Sequence, residues 1–230
     1  ETKSGENLSL SRLPSETYPR GDSAHDVFFA RVLIRLANQG QPVPLDVAVK
    51  PFLEPGSIRT ALKDFVNSVL VTRRGFLTFD PLCAIGFEDK GLVLTVANPD
   101  IQSSDIDMAD RKPYDEQVIT RLQRISQLLA SLHLAGIFHG DAQVRNFTVS
   151  PTSNIEAIDW ESAQIVDFTK DENLEIVSDR AANDLRKLFE SIVIGPDGRR
   201  KISEVSFSNY FNDVIFNPYY DFFGSHLIDY

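Results

Sequence analysis

The stretch His139-Gly140-Asp141-Ala142-Gln143-Val144-Arg145-Asn146, followed by Ile158-Asp159-Trp160-Glu161, decides how this chain is read. Asp141 and Asn146 stand five positions apart, and Asp159 comes thirteen after Asn146. Two short apolar runs, Asn146–Val149 and Ile155–Ile158, are joined by a turn signal at Pro151–Asn154. A tight hairpin of that length returns Asp159 to the loop that carries Asp141 and Asn146. Convergent oxygens of this kind suit phosphoryl transfer from a nucleotide. That reaction needs a carboxylate to receive the acceptor hydroxyl's proton, and hard oxygen ligands for magnesium at the phosphates. On this chemistry Asp141 is the candidate base, and Asn146 and Asp159 are the candidate metal ligands.

Working outward, the strongest helical pattern lies just upstream. Val118, Ile119, Leu122, Ile125, Leu128, Leu129 and Leu132 recur at helical spacing, with Arg121 and Arg124 expected to face out and Gly136 to close the helix. Downstream, a second helix is expected from Asp179 to about Ile192, then a basic turn at 195–201 and an aromatic-rich end from Phe207 to Tyr230. Before the loop, 98–113 is rich in Asp, Ser and Pro and reads as a connection. Earlier still, Val27–Leu36 and Leu45–Lys50 read as a hairpin of two long strands. A helix follows from an N-cap at Ser57 to about Val71, with Ile58, Leu62, Phe65, Val66 and Val69 as its apolar positions and Gly75 closing it. Leu82–Phe87 and Leu92–Val96 form a second hairpin. The expected organisation is a tail at 1–20, a sheet unit with one helix at 21–97, the connection, and a mainly helical unit at 114–230.

Composition sets bounds on function. The 230 residues are 42% hydrophobic and 24% charged, which is ordinary globular composition. With 23 Lys and Arg against 33 Asp and Glu, the net charge of −10 disfavours general nucleic-acid binding. The single cysteine, Cys83, cannot form an internal disulfide, and the expected setting is cytoplasmic. No apolar run is long enough to span a membrane.

The loop and the Asp-Trp-Glu that follows resemble the protein-kinase-like superfamily, whose His-Arg-Asp-Leu-x-x-x-Asn and Asp-Phe-Gly motifs they match in type and order. Gly140 in place of Arg, and Asp-Trp-Glu, look more like its compact branches: aminoglycoside and choline kinases, RIO-like kinases and lipopolysaccharide-kinase-like proteins. The resemblance implies an α+β two-lobe fold, with a small antiparallel sheet lobe bearing one helix and a reduced, mainly helical carboxyl lobe. It implies ATP and Mg2+ as the ligands. Val47-Ala48-Val49-Lys50 is similar to the family's lysine-bearing strand, so Lys50 would hold the α- and β-phosphates. With Val47 and Val49 on its face, Lys50 reads as buried beside that site. Asp64 would be its acidic partner on the helix. The Thr95-Val96-Ala97 segment would be the hinge that meets adenine, and Gly21 and Ser23 would lie in the phosphate-covering loop. Asp184 resembles the helix aspartate that anchors the catalytic loop.

The function so implied is transfer of the γ-phosphoryl group of ATP to a hydroxyl, with Ser or Thr of a protein as the favoured acceptor. A small-molecule kinase of the aminoglycoside or choline type and a pseudokinase scaffold are the alternatives, the latter because Asp22 and Asp26 bring negative charge to the phosphate loop. Bland readings stand beside these. Asp and Asn favour turns, a strand lysine is usually solvated, and the aromatic end is more often core than a partner surface. Gln143 and Arg145 serve either the phosphates or the loop's own structure. His139 is expected to pack near the metal-binding turn, and His133 and His139 do not have zinc spacing.

Overall fold

The computed structural model describes residues 11–12, 27–34, 41–97, 102–103, 113–150, 154–168, 174–194 and 208–227. The protein is α+β. Its main sheet is antiparallel and runs in the order β1 (Ser11–Arg12), β2 (Phe28–Ile34), β3 (Val43–Phe52), β5 (Lys90–Val96), β4 (Pro81–Phe87). Four α-helices lie among the described residues: α1 (Ile58–Arg73), α2 (Glu116–Leu134), α3 (Leu174–Val193) and α4 (Asn217–Leu227). A π-helical turn, Phe211–Phe216, runs into α4. The remaining strands are short: β6 (Gln102–Ser103), β7 (Ile137–Phe138), β8 (Phe147–Val149), β9 (Ile155–Ala157) and β10 (Gln164–Ile165). The expected hairpin before Asp159 is β8–β9, in register Phe147 to Ala157, and β6 adds to its edge.

The two expected hairpins of the sheet form, β2 on β3 and β4 on β5, but β3 runs beyond the expected Leu45–Lys50 at both ends and continues through Pro51. Alternation along β3 divides its residues. Val47 and Val49 point into a core with Ala30, Val32 and Leu94, while Lys50 and Phe52 point to the other face, where Ala61 of α1 packs with Phe52 and Val93. The expectation that Lys50 shares a face with Val47 and Val49 is therefore corrected: residues one or three apart on a strand lie on opposite faces.

The apolar positions of α1 need a larger correction. Its buried residues are Ala61, Asp64, Asn67, Ser68 and Val71, whereas Leu62 and Val66 are exposed. Nor does Ser57 cap the helix through its side chain; its hydroxyl donates to the carbonyl of Phe52. The helix ends where Gly75 takes a φ of +85°, a conformation that favours glycine.

The larger core gathers α2, α3, α4 and the hairpin. Leu122, Ile125, Leu129 and Leu132 of α2 meet Leu188 and Val193 of α3, Ile215 of the π-helical turn, and Phe147 and Trp160 below the loop. Asp115 caps α2 by accepting from the amide of Gln117 at 2.9 Å. Arg124 is exposed as expected, but Arg121 is half-buried. The start expected for α3 at Asp179 moves back to Leu174. Of the carboxyl-terminal aromatics, Tyr210 and Tyr219 are core, while Phe216 and Tyr220 are exposed and stacked on each other. No helix among the described residues is long and apolar enough to cross a membrane.

Candidate functional site

Strand β7 ends at Phe138, and the loop leaves it through Gly140, whose φ is +77°. A side chain there would strike the backbone of Ser162, so the position needs glycine for space as well as for conformation. Asp184 fastens this loop from α3. It is fully buried, and its two oxygens accept from the amide of His139 at 2.7 Å and of Gly140 at 2.8 Å. His133 Nε2 lies 3.1 Å from the same carboxylate, and His133 Nδ1 lies 2.9 Å from the Tyr219 hydroxyl. A buried carboxylate is tolerable only when hydrogen-bonded in this way.

Asp141 stands at the loop's end with four polar neighbours. Lys187 Nζ approaches its Oδ1 at 3.1 Å and also donates to the Gly140 carbonyl at 2.6 Å. Gln143 Nε2 donates to Oδ1 at 3.0 Å, and Asn146 Nδ2 donates to Oδ2 at 3.0 Å. Arg145 is more distant, at 3.9 Å. Burial pushes the Asp141 carboxyl up, but the bonds from Lys187, Gln143 and Asn146, with the charge of Lys187, outweigh it and hold it below the ordinary carboxylate range. Asp141 is thus an ionised acceptor at neutral pH.

Asn146 gives its amide hydrogens to Asp141, with a second bond to that residue's carbonyl at 2.7 Å. This leaves Asn146 Oδ1 as an acceptor. Asp159 has a φ of +69°, which turns the chain sharply between β9 and the short 3-10 turn Trp160–Ser162. Asp159 Oδ1 meets Lys50 Nζ at 2.5 Å. His139 braces this corner: its Nε2 bonds the carbonyl of Ile158 at 2.9 Å, and its ring packs against Phe147 and Trp160.

Lys50 is ringed by three carboxylates: Asp159, Glu161 at 3.0 Å and Asp64 at 3.4 Å. Burial opposes its charge, but the fields of Asp64, Asp159 and Glu161 outweigh it and keep the ammonium protonated. Asp64 is the most buried of the three. Burial, with Asp159 and Glu161 nearby, pushes its carboxyl up against the pull of Lys50 and of the Trp160 amide, which donates to it at 2.8 Å. Asp64 thereby ties α1 to both Lys50 and the turn after Asp159.

Of the residues singled out by sequence, the structure brings Lys50, Asp64 and Asp159 into one contact group and Asp141 and Asn146 into another. Val96 and Ala97 sit at the end of β5, and their amides already donate to the carbonyls of Asp80 and Asp46, both at 2.9 Å. Gly21, Ser23 and the basic turn at 195–201 lie outside the described residues. Sequence reading missed Lys187, the pairing of Glu161 with Lys50, and Asn67, whose amide donates to the carbonyls of Trp160 and Ala163. The signal was available for two of them. Lys187 follows Asp184 by three, and Asn67 follows Asp64 by three, so each shares a helix face with a residue already chosen.

The donor set bears on a metal. Asn146 Oδ1 and the Asp159 carboxylate oxygen not paired with Lys50 are the hard oxygens that could accept a cation, and no three His, Cys, Asp or Glu side chains are grouped as a metal cage among the described residues. Two protein oxygens would be enough only for a cation that brings further oxygen ligands, such as water, with it. No family model matches the chain, and no curated protein matches it.

Proposed function

We propose that this chain is a phosphotransferase of the compact protein-kinase-like kind, moving the γ-phosphoryl group of ATP to a hydroxyl, with Ser or Thr of a protein as acceptor. The observation that carries the reading is the clamp of Asn146 on Asp141, with the loop's two amides fastened to buried Asp184. That clamp holds one carboxylate ionised and turns an amide oxygen away from it, the division of labour this transfer requires. The fold reading extends to two lobes, with the nucleotide between the sheet with α1 and the helices behind the loop.

In this reading Asp141 orients the acceptor hydroxyl and accepts its proton as the oxygen bonds to the γ-phosphorus, while the bond from that phosphorus to the β-phosphate oxygen breaks and ADP leaves. Lys50 places its ammonium at the phosphates while Asp64 and Glu161 hold the side chain in position. Asn146 and Asp159 would hold magnesium, which neutralises phosphate charge when bound. Gln143 and Lys187 keep Asp141 from rotating out of line.

The test is transfer of labelled phosphate from ATP with magnesium to a degenerate Ser/Thr peptide library, comparing wild type with Asp141→Asn. Transfer by the wild type alone supports the reading. Equal labelling by both proteins defeats the base assignment. A second reading, a binding module without turnover, is favoured by one observation: three carboxylates already engage Lys50. Absence of both transfer and an ATP-dependent rise in melting temperature selects that reading.

A further inference from the structure

Helix α1 is amphipathic in the unusual sense. Its inner face is small and polar, because that face serves the site: Asp64 meets Lys50 and the Trp160 amide, and Asn67 meets the Trp160 and Ala163 carbonyls. Its outer face carries Leu62, Val66 and Leu70, spaced four apart, with 47%, 49% and 36% of their surfaces exposed. A surface helix normally turns such a stripe inward. Folding alone explains the polar inner face but not three aliphatic side chains left partly exposed on the outer one.

The charges on that outer face say what would cover it. Arg59, Lys63 and Arg73 are exposed there. The one acid of α1, Asp64, points inward. A basic, apolar stripe thus stands on a chain whose net charge is −10. A second copy is a poor occupant. An antiparallel pair centred on Val66 sets Arg59 of one helix opposite Arg73 of the other, since each lies seven residues from the centre, and like charges opposed in this way repel. An anionic bilayer is also poor, because the chain as a whole repels it.

We propose that the outer face of α1 is the docking surface for an amphipathic helix of another protein, with an aliphatic seam flanked by Asp or Glu. Leu62, Val66 and Leu70 supply the apolar contact, and Arg59, Lys63 and Arg73 choose the partner by charge. The inference stands on this face of α1 alone and does not depend on what chemistry the site performs.

The test uses the full chain and two synthetic helical peptides with the same leucine seam, one flanked by Glu and one by Lys, followed by fluorescence anisotropy. The Glu peptide should bind at least about tenfold more tightly than the Lys peptide. Added salt should weaken it, and Val66→Asp should weaken it by about tenfold or more without lowering the melting temperature. The double variant Arg59→Glu/Lys63→Glu should reverse the preference, which keeps the test decisive if Val66→Asp fails to fold. Any one of four results overturns the proposal: equal or absent binding of the two peptides, unchanged binding by the variants, a dimer in sedimentation that Val66→Asp dissolves, or tighter binding to phosphatidylserine vesicles than to the Glu peptide.

Discussion

The ammonium of Lys187 lies 3.1 Å from the carboxylate of Asp141, although 46 residues separate them in the chain. The contact joins α3 to the candidate base, and with Asp184 one helix turn earlier it makes α3 the wall on which the loop is fixed. Lys187 also spans to the Gly140 carbonyl, so it holds the loop's backbone as well as its acid.

Removing that cation should be visible in a pH profile. Lys187→Met deletes the largest of the influences that lower the Asp141 carboxyl, so, if the chain transfers phosphate as proposed, the acid limb of its rate should move to higher pH. The rate at neutral pH should fall less than with Asp141→Asn. An acid limb unchanged in position would show that Lys187 does not govern the charge of Asp141.

Asp184 is fully buried and serves two amides and a histidine. Asp184→Ala leaves those donors unpaired in the core and should destabilise the fold by ~3–5 kcal/mol in urea unfolding. Tyr219→Phe removes only a hydroxyl partner of His133 and should cost about 1 kcal/mol. Comparable losses from the two would contradict the placement of Asp184 as the anchor.

Glycine replacements separate space from conformation. Gly140 has φ +77° with the Ser162 carbonyl carbon 2.9 Å from where a Cβ would sit, whereas Gly75 has φ +85° and open space. Gly75→Ala should cost roughly 1 kcal/mol from the left-handed backbone. Gly140→Ala carries that cost and a backbone clash, so its melting temperature should fall further. Calorimetry of the two single variants makes the comparison.

Two carboxyls give opposite pH signatures. Asp141 lies below its unfolded value, so its contribution is present above the unfolded carboxylate pKa of about 4 and is lost as pH falls through the lower folded value. Asp64 is raised, so its contribution is full below the unfolded value and is lost as pH rises through the folded one. Relative to Asp64→Asn, the wild type should therefore lose stability as pH rises from 4. Relative to Asp141→Asn, it should lose stability as pH falls below about 4. Denaturant midpoints over pH 2–8 read both, and parallel curves for wild type and either variant would contradict that assignment.

If ATP with magnesium binds as proposed, a saturating concentration near 100 times the dissociation constant should add about 2.7 kcal/mol to stability. Lys50→Met should remove most of that gain, because it deletes the ammonium placed for the phosphates. A gain retained in Lys50→Met would place phosphate binding elsewhere.

Sequence alone sufficed for whatever depends on local spacing. The hairpin that follows Asn146, the apolar seam of α2, and the glycine ends of α1 and α2 are all set by turns and periodicities within a few residues. Tertiary structure decided which face of an element counts. It turned Leu62 and Val66 of α1 outward and Asp64 and Asn67 inward, because polar partners on Lys50, Trp160 and Ala163 wait on that side. It also brought Lys187 to Asp141, a long-range contact that no periodicity within one element encodes.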